Sequence, residues 1–439
     1  MKHIHFNPRN QVLVALAGFA LLQTPALATN VNLFNRPPVV QGEKLSPLDV
    51  KMRNAFEAMN KKDLATARAA LTDAQKLDPK SIDVQLALAE LARQANKPDE
   101  IEMAIKRALE IDPKSPDALS AWSRWRFAKN DFNGAEEYLR RAIEAKPDYA
   151  RLYVDLGELH LNSMQRPKDA VNDYRKAAEL DPSSSGAQAG LGSALMVLGD
   201  RKGAIKAFEQ AALLAPTNPL PLVALGRISS VEERYKDALK YFNRALALQP
   251  GLIGIVTEKA DTLVLDGRRG EAFDVYRQAI KLAPKDAVIQ TKLGMALQQD
   301  GKTQDAFAAY QQALVLQAKS PLVLNNMAVL ALESKTRTPE AEGWARKAVE
   351  LEPKVATYLD TFVWVLQAAG KGSEALSLLK DSATAFPASG QLQYRRGLLL
   401  EAAGNPAEAL KAYQSALKLE PRLEFSKDAQ SRVAKLNSK

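Results

Sequence analysis

Proline recurs at nearly constant spacing along most of this 439-residue chain. The series runs through Pro79, Pro113, Pro147, Pro182, Pro216, Pro250, Pro284, Pro353, Pro387 and Pro421. Its intervals are 34 or 35 residues, except for one of 69, which equals one interval of each length and has Ala318 in the vacant place. A fixed period of this size is typical of repeat architectures. The sequence therefore predicts about eleven copies of one unit over residues 48–423, rather than the three globular domains that the length alone suggests.

Small and aromatic residues recur in the same frame. Alanine stands twelve residues before most of the markers, as Ala67, Ala135, Ala170, Ala204, Ala238, Ala272, Ala306, Ala341, Ala375 and Ala409. Aromatic residues often follow four positions later, as Tyr174, Phe208, Phe242, Tyr276, Tyr310 and Tyr413. Each unit contains two stretches with apolar residues at helical spacing. Each unit is therefore predicted to be a pair of amphipathic helices, the second of which ends at the proline. A single pair cannot bury both faces, so neighbouring pairs are expected to stack.

Leucine–glycine pairs complete the pattern, at Leu156-Gly157, Leu191-Gly192, Leu225-Gly226 and Leu293-Gly294. With the alanine, aromatic and proline positions, they resemble the tetratricopeptide repeat. The resemblance implies an all-α fold, a right-handed α-solenoid of about eleven helix-turn-helix repeats with an exposed concave groove. Residues 424–439 carry Phe425, Ala429 and Val433 on one face and are predicted to form a C-terminal capping helix.

The first 28 residues have the pattern of a signal peptide. Lys2 and Arg9 give a positive start, residues 12–22 are apolar, and Ala26-Leu27-Ala28 is a cleavage sequence of the small-x-small kind. The apolar run has about half of the roughly 20 residues that a membrane-crossing helix needs. We therefore expect cleavage after Ala28, no integral membrane segment in the mature chain, and a periplasmic or secreted location in a bacterium. Residues 29–47 are predicted to be a flexible proline-containing leader, either a spacer or a docking peptide.

Composition argues against most catalytic chemistry. The chain has no cysteine and three histidines, of which His160 alone would remain after cleavage. Thiolate zinc sites, disulfides, a cysteine nucleophile and sites with several imidazoles are thereby excluded, and we expect no catalytic, cofactor-binding or metal-binding residues. His160 replaces the tyrosine of the repeat pattern, which favours a buried or half-buried structural histidine. The net charge is +9. Because Lys and Arg alternate with Asp and Glu and are not concentrated on one face, nucleic acid is not expected as a partner.

The resemblance also implies where a ligand would bind. In this family the concave groove is lined by certain positions of each first helix, and matching positions here include Phe56, Arg93, Arg124, Phe127, Glu158, Arg227, Asp261, Gln298, Asn325, Asp360, Trp364, Gln367 and Tyr394. Trp364 is the predicted anchor, with Asp360, Gln367 and Tyr394 as its polar rim. For Phe56, Phe127 and Trp364, packing between repeats is the open alternative.

Two functions remain open. The carboxylate clamp that some tetratricopeptide proteins use on chaperone C-termini has no matching set of residues. The chain also resembles exported tetratricopeptide proteins of bacterial envelopes. This resemblance implies a non-enzymatic scaffold that binds a protein or peptide in its groove during assembly of an envelope or surface structure. The alternative is a glycan-binding accessory of exopolysaccharide synthesis or export, with an anionic glycan as partner, for which the positive charge is the argument.

Overall fold

The computed structural model describes residues 45–380, 385–421 and 425–437. The predicted signal peptide, and the predicted leader up to residue 44, lie outside these ranges. Within them every regular element is a helix and there is no β-strand. The chain divides into two compact units, which meet in sequence between Arg234 and Tyr235.

The N-terminal unit alternates first and second helices of successive repeats, and we number them so that first helices are odd. They are α1 (Pro47–Asn60), α2 (Leu64–Leu77), α3 (Ile82–Gln94), α4 (Pro98–Ile111), α5 (Pro116–Ala128), α6 (Phe132–Ala145), α7 (Ala150–Glu158), α8 (Pro167–Leu180), α9 (Ser185–Val197), α10 (Arg201–Leu214) and α11 (Leu220–Val231). A π-helical turn, Leu159–Ser163, follows α7 directly. The first helix begins one residue before the predicted boundary, because Pro47 suits the first helical position and the Ser46 hydroxyl accepts a hydrogen bond from the Asp49 amide.

The C-terminal unit continues the alternation. Its helices are α12 (Tyr235–Leu248), α13 (Ile253–Leu265), α14 (Arg269–Leu282), α15 (Ala287–Gln299), α16 (Thr303–Leu316), α17 (Pro321–Ser334), α18 (Thr338–Leu351), α19 (Ala356–Ala368), α20 (Gly372–Lys380), α21 (Gly390–Ala402), α22 (Pro406–Leu419) and α23 (Ser426–Asn437). The last, α23, is the predicted C-terminal capping helix. It packs on α22, with Phe425 and Ala429 buried and Val433 beside them.

The second helices whose C-terminal ends lie within the described residues end in the same way with or without proline. The residue before the marker is extended, and its amide donates a hydrogen bond to an alanine carbonyl four residues earlier, as from Asp78 to Ala74 at 3.0 Å. In the repeat that lacks proline, Gln317 makes the same bond to Ala313 at 2.8 Å. The repeat frame therefore persists there, as the flanking sequence predicted.

The recurrent glycine and aromatic positions form complementary contacts inside a repeat. A Cβ atom on Gly157 would lie 3.0 Å from the Tyr174 ring, and one on Gly294 would lie 2.7 Å from the Tyr310 ring. The first helix thus approaches the second closely only because the glycine has no side chain. In the first repeat Leu71 stands in place of the aromatic residue and Ala55 in place of the glycine. The larger residue on the first helix is thus matched by a smaller side chain on the second helix.

The two 35-residue intervals are accommodated differently. In the interval from Pro147 to Pro182, the extra residue lies in the π-helical turn, where the Met164 amide bonds to the Leu159 carbonyl five residues earlier at 3.1 Å. In the interval ending at Pro353, the turn after α17 contains two residues with left-handed backbone, Lys335 and Arg337.

First helices contact first helices within each unit. In the N-terminal unit α3 contacts α5 and α7 contacts α9, and in the C-terminal unit α15, α17, α19 and α21 contact in succession. This surface of contiguous first helices is called the inner face below. Across the described ranges, no helix combines the length and the apolar character that crossing a bilayer demands.

Candidate functional site

The predicted groove residues divide between the two units. Those of the N-terminal unit are Phe56, Arg93, Arg124, Phe127, Glu158 and Arg227, and those of the C-terminal unit are Asp261, Gln298, Asn325, Asp360, Trp364, Gln367 and Tyr394. Asn325, Asp360 and Tyr394 are buried, Arg93 is exposed, and the others are half-buried. All stand on first helices.

The two phenylalanines contribute to packing. Phe56 lies against the hydrophobic cluster of the first repeats, and Phe127 lies beside Phe132, with 5.5 Å between ring centroids. These are packing contacts, and the choice between a groove role and packing between repeats stays a prediction for both residues.

A buried ion pair lies beside Trp364. The Asp360 carboxylate accepts hydrogen bonds from Arg395 Nε and Nη2 at 2.9 and 3.0 Å and from Gln391 Nε2 at 3.3 Å. Burial lowers the pKa of Arg395, but the charge and hydrogen bonds of Asp360 outweigh it and raise the pKa overall. The Arg395 guanidinium also lies over the Trp364 ring, 5.4 Å from its centroid. Asp360 and Trp364 are therefore joined by Arg395, which sequence reasoning did not single out.

Tyr394, predicted as part of the rim of Trp364, is held by the C-terminal segment. Its hydroxyl donates to Asp428 Oδ2 at 2.6 Å, and its ring stacks on Phe425 with centroids 4.8 Å apart. Both partners belong to the C-terminal segment that packs on α22. This segment lies outside the repeats, so the repeat pattern does not predict where it packs. Tyr394 therefore anchors the capping helix.

Asp261 and Gln298 are also engaged within the C-terminal unit. Asp261 accepts from Tyr276 Oη and from Lys292 Nζ, each at 2.5 Å. Gln298 accepts from Tyr310 Oη at 2.8 Å and donates to Glu333 at 3.0 Å. These side chains are thus held by neighbours on the same or the next repeat.

Arg124, on the inner face of the N-terminal unit, contrasts with these residues. Its half-buried side chain makes no hydrogen bond or ion pair with any residue in the described ranges. Burial lowers the pKa of Arg124, although the negative charges of Asp155, Asp117 and Glu90 act in the opposite direction. An arginine that has lost hydration without gaining a partner is a costly arrangement.

Two carboxyl groups of α7 belong to the same surroundings: Asp155 acts electrostatically on Arg124, and Glu158 lies three residues after Asp155 on the same helix face. Asp155 is 1% exposed; its Oδ1 accepts from Arg151 Nε at 2.7 Å, whereas its Oδ2 has no hydrogen-bond partner. Burial, reinforced by the charge of Asp155, raises the pKa of Glu158 to about 7. We call Arg124, Arg151, Asp155 and Glu158 the charged site. It combines an unpaired guanidinium with a carboxyl that titrates near neutral pH.

Sequence reasoning found only part of the charged site. Arg124 and Glu158 occupy positions that the family uses for ligands, but Arg151 and Asp155 were not singled out. Their spacing of four residues, with Glu158 three residues further on, is the signal that could have found them, because such residues share one helix face.

His160 is buried, as predicted, in the π-helical turn. Its Nδ1 lies 2.6 Å from Asp173 Oδ2 and its Nε2 lies 3.2 Å from Glu136 Oε1. The Nε2–Glu136 contact is within ion-pair distance but lacks hydrogen-bond geometry, so the bond to Asp173 is the stronger one. Burial lowers the pKa of His160, yet Asp173 and Glu136 together outweigh it and raise the pKa. In the part of the chain that the structure describes, no cluster of side chains is suited to hold a metal ion.

These features define a helical-repeat protein with a charged inner face. Family models described as tetratricopeptide repeat match residues 153–285, 257–322, 291–356, 361–423 and 127–149, which together exceed half of the chain. The chain belongs to the tetratricopeptide repeat family, and the predicted all-α solenoid of such repeats is confirmed. A search of curated proteins found no significant match.

Solved structures of other repeat proteins are similar to this chain. Yeast Tom70 is 14% identical, with 89% of this chain and 96% of that chain covered and a TM-score of 0.46. Pseudomonas aeruginosa pilF is 20% identical, covering 46% of this chain and 92% of that one at a TM-score of 0.41. YrrB, described as a TPR protein with an unusual peptide-binding site, is 25% identical, with coverage of 46% and 98% and a TM-score of 0.38.

Proposed function

We propose that this chain is a non-enzymatic scaffold, periplasmic or secreted, that binds a protein or peptide on its inner face during assembly of an envelope or surface structure. Membership of the tetratricopeptide family supports the coarser statement, that the chain is a protein-interaction scaffold. The signal-peptide pattern of residues 1–28 supports the location.

The observation that carries the proposal is the unpaired charge of Arg124. In the C-terminal unit, the corresponding acidic residue Asp261 pairs with Lys292 across two first helices. Arg124 stands at the same repeat position as Asp261 but has no such partner within the described ranges. A side chain that is costly to the folded protein and faces a groove is expected to meet a ligand there.

The glycan-binding accessory is the second candidate. Its argument is the net charge of +9, and the inner face adds no observation in its favour. Retention of the purified chain on an anionic polysaccharide gel at physiological salt, undiminished in variants of the charged site, would favour it over the scaffold.

Photo-crosslinking tests the scaffold proposal. Ser193 on α9 stands at the same repeat position as Arg124 and Glu158, so a benzophenone amino acid at position 193 would lie on the inner face. Met103 on the second helix α4 is 70% exposed and serves as the matched control.

In cells of the native host, a discrete crosslinked protein is expected from position 193 and not from position 103. Equal labelling from both positions would indicate non-specific contact and would contradict the proposal.

A further inference from the structure

We propose that the charged site binds a single carboxylate of an acidic partner peptide, with Arg124 as the principal contact and Arg151 as the second. The inference rests on the proposed function and names the chemistry of the partner. A guanidinium offers N–H groups in a planar fork that matches the two oxygens of a carboxylate.

Both guanidinium groups have donors to offer. Arg124 uses none of its donors on any described residue. Arg151 donates a hydrogen bond from Nε to Asp155, and its side chain is 48% exposed. Its terminal N–H groups have no further partner within the described ranges. A carboxylate placed between Arg124 and Arg151 would therefore meet donors from two neighbouring first helices, α5 and α7.

The surrounding charges favour one negative charge over two. Glu90 on α3 is paired with Arg93 and Asp155 is paired with Arg151, and both carboxylates still act electrostatically on Arg124. Asp117, at the start of α5, acts electrostatically on Arg124 and opposes a second negative charge. A carboxylate suits this balance better than a phosphate, which carries about two charges.

Glu158 links binding to pH. Asp155 and Arg151 on α7 act electrostatically on Glu158 in opposite directions, Glu158 acts on Tyr174 of α8, and Asp173 on α8 is held by His160. Tyr149, before α7, lies near Asp117 and Asp155, and α9 has no charged side chain. When Glu158 is protonated the site carries one fewer negative charge, so a carboxylate ligand binds better below the pKa of Glu158 than above it.

Fluorescence anisotropy with three labelled octapeptides tests the proposal on the purified chain. The first alternates Ser and Glu and has an amidated C-terminus. The second alternates Ser and Gln and has a free C-terminus, and the third alternates Ser and Gln and is amidated. Binding of the first identifies a side-chain carboxylate, binding of the second identifies a terminal one, and the third reports contacts that need no carboxylate.

We expect Arg124→Gln to weaken binding of the acidic peptide about tenfold or more, because a charge-assisted hydrogen bond is lost. Arg107→Gln, which removes an arginine paired with Glu110 on the surface, should leave binding unchanged. Wild-type binding should be tighter near pH 6 than near pH 8, where peptide carboxylates of pKa about 4 stay ionised. Glu158→Gln should remove this difference.

A stability measurement separates this role from a structural one. Because Arg124 has no partner in the described fold, Arg124→Gln should keep or raise the melting temperature while it weakens binding. Equal binding of all three peptides, no binding of either carboxylate peptide, or unchanged affinity in Arg124→Gln would each overturn the proposal. The photo-crosslinking result is independent, so a partner crosslinked at position 193 that neither carboxylate peptide displaces would leave the scaffold standing and remove only this inference.

Discussion

At the scale of single residues, the helix pairs depend on matched volumes. Gly294 and Tyr310 illustrate the rule, since the ring occupies the space that a side chain at 294 would need. Interiors are packed about as densely as organic crystals, so such a pair tolerates little added volume. The glycine is therefore a packing residue and not a hinge.

Gly294→Ala should lower the free energy of unfolding by about 1–3 kcal/mol, because the new methyl group overpacks the Tyr310 ring. Gly343→Ala is the matched control, since Gly343 lies within α18 and its Cβ would meet nothing within 4 Å. There alanine should stabilise by about 0.5–1 kcal/mol through helix propensity. Urea denaturation of both variants checks this, and shifts of the same sign would contradict the packing interpretation.

Asp360→Ala should lower the free energy of unfolding by about 3–5 kcal/mol, because it leaves the Arg395 guanidinium buried without its counter-charge. Glu408→Ala breaks an exposed pair with Lys411 and should cost little, because solvent screens such a pair. Thermal denaturation of the two variants measures the loss of stability in each. Similar losses would mean that the Asp360–Arg395 pair is far weaker than its burial indicates.

At the scale of elements, the π-helical turn gives repeat 4 a buried ionic link. His160 lies between Glu136 on α6 and Asp173 on α8, so it joins two second helices of neighbouring repeats. His160 is the second residue of the five-residue π-helical turn, so the insertion and the histidine are parts of one local arrangement.

This link should make stability depend on pH. The pKa of His160 is raised in the folded chain, so its stabilisation is fully present below the ordinary value of about 6.5 and is lost as pH rises through the folded-state pKa. The urea midpoint of wild type should therefore exceed that of His160→Gln by more near pH 6 than near pH 9. Lys176→Gln, which removes an exposed pair with Glu179, should show no such trend. A constant difference across this range would contradict the assignment.

At the scale of the whole chain, the period predicted the helices and their alanine core because both are set by residues within one repeat. Ala204 and its counterparts are buried where the frame places them. The candidate site was predicted only in part, since its properties depend on which side chains of adjacent repeats meet. Tyr394 was assigned to the groove by register, but Asp428 of α23 holds it, and no periodic pattern includes that helix.

The mature chain is expected to begin at Thr29, because the small-x-small sequence ends at Ala28. Intact-mass spectrometry of protein recovered from the extracytoplasmic fraction checks both the cleavage and the location. Recovery of the uncleaved chain from the cytoplasm alone would contradict both. Replacing Ala28 with Arg should block processing, whereas Thr29→Ser should leave it unchanged.

The common ending of the second helices bears on how such a chain can lengthen. The bond made by Asp78 is made again by Gln317, where no proline follows, so the junction does not depend on that residue. A duplicated stretch of one period would present this junction at both of its ends and would need no new contact to join its neighbours. A single inserted residue does not bring a complete junction with it. It must be accommodated inside a repeat, as happens at Leu159–Ser163. Gene duplication in whole periods is thus the change that this architecture accepts most readily.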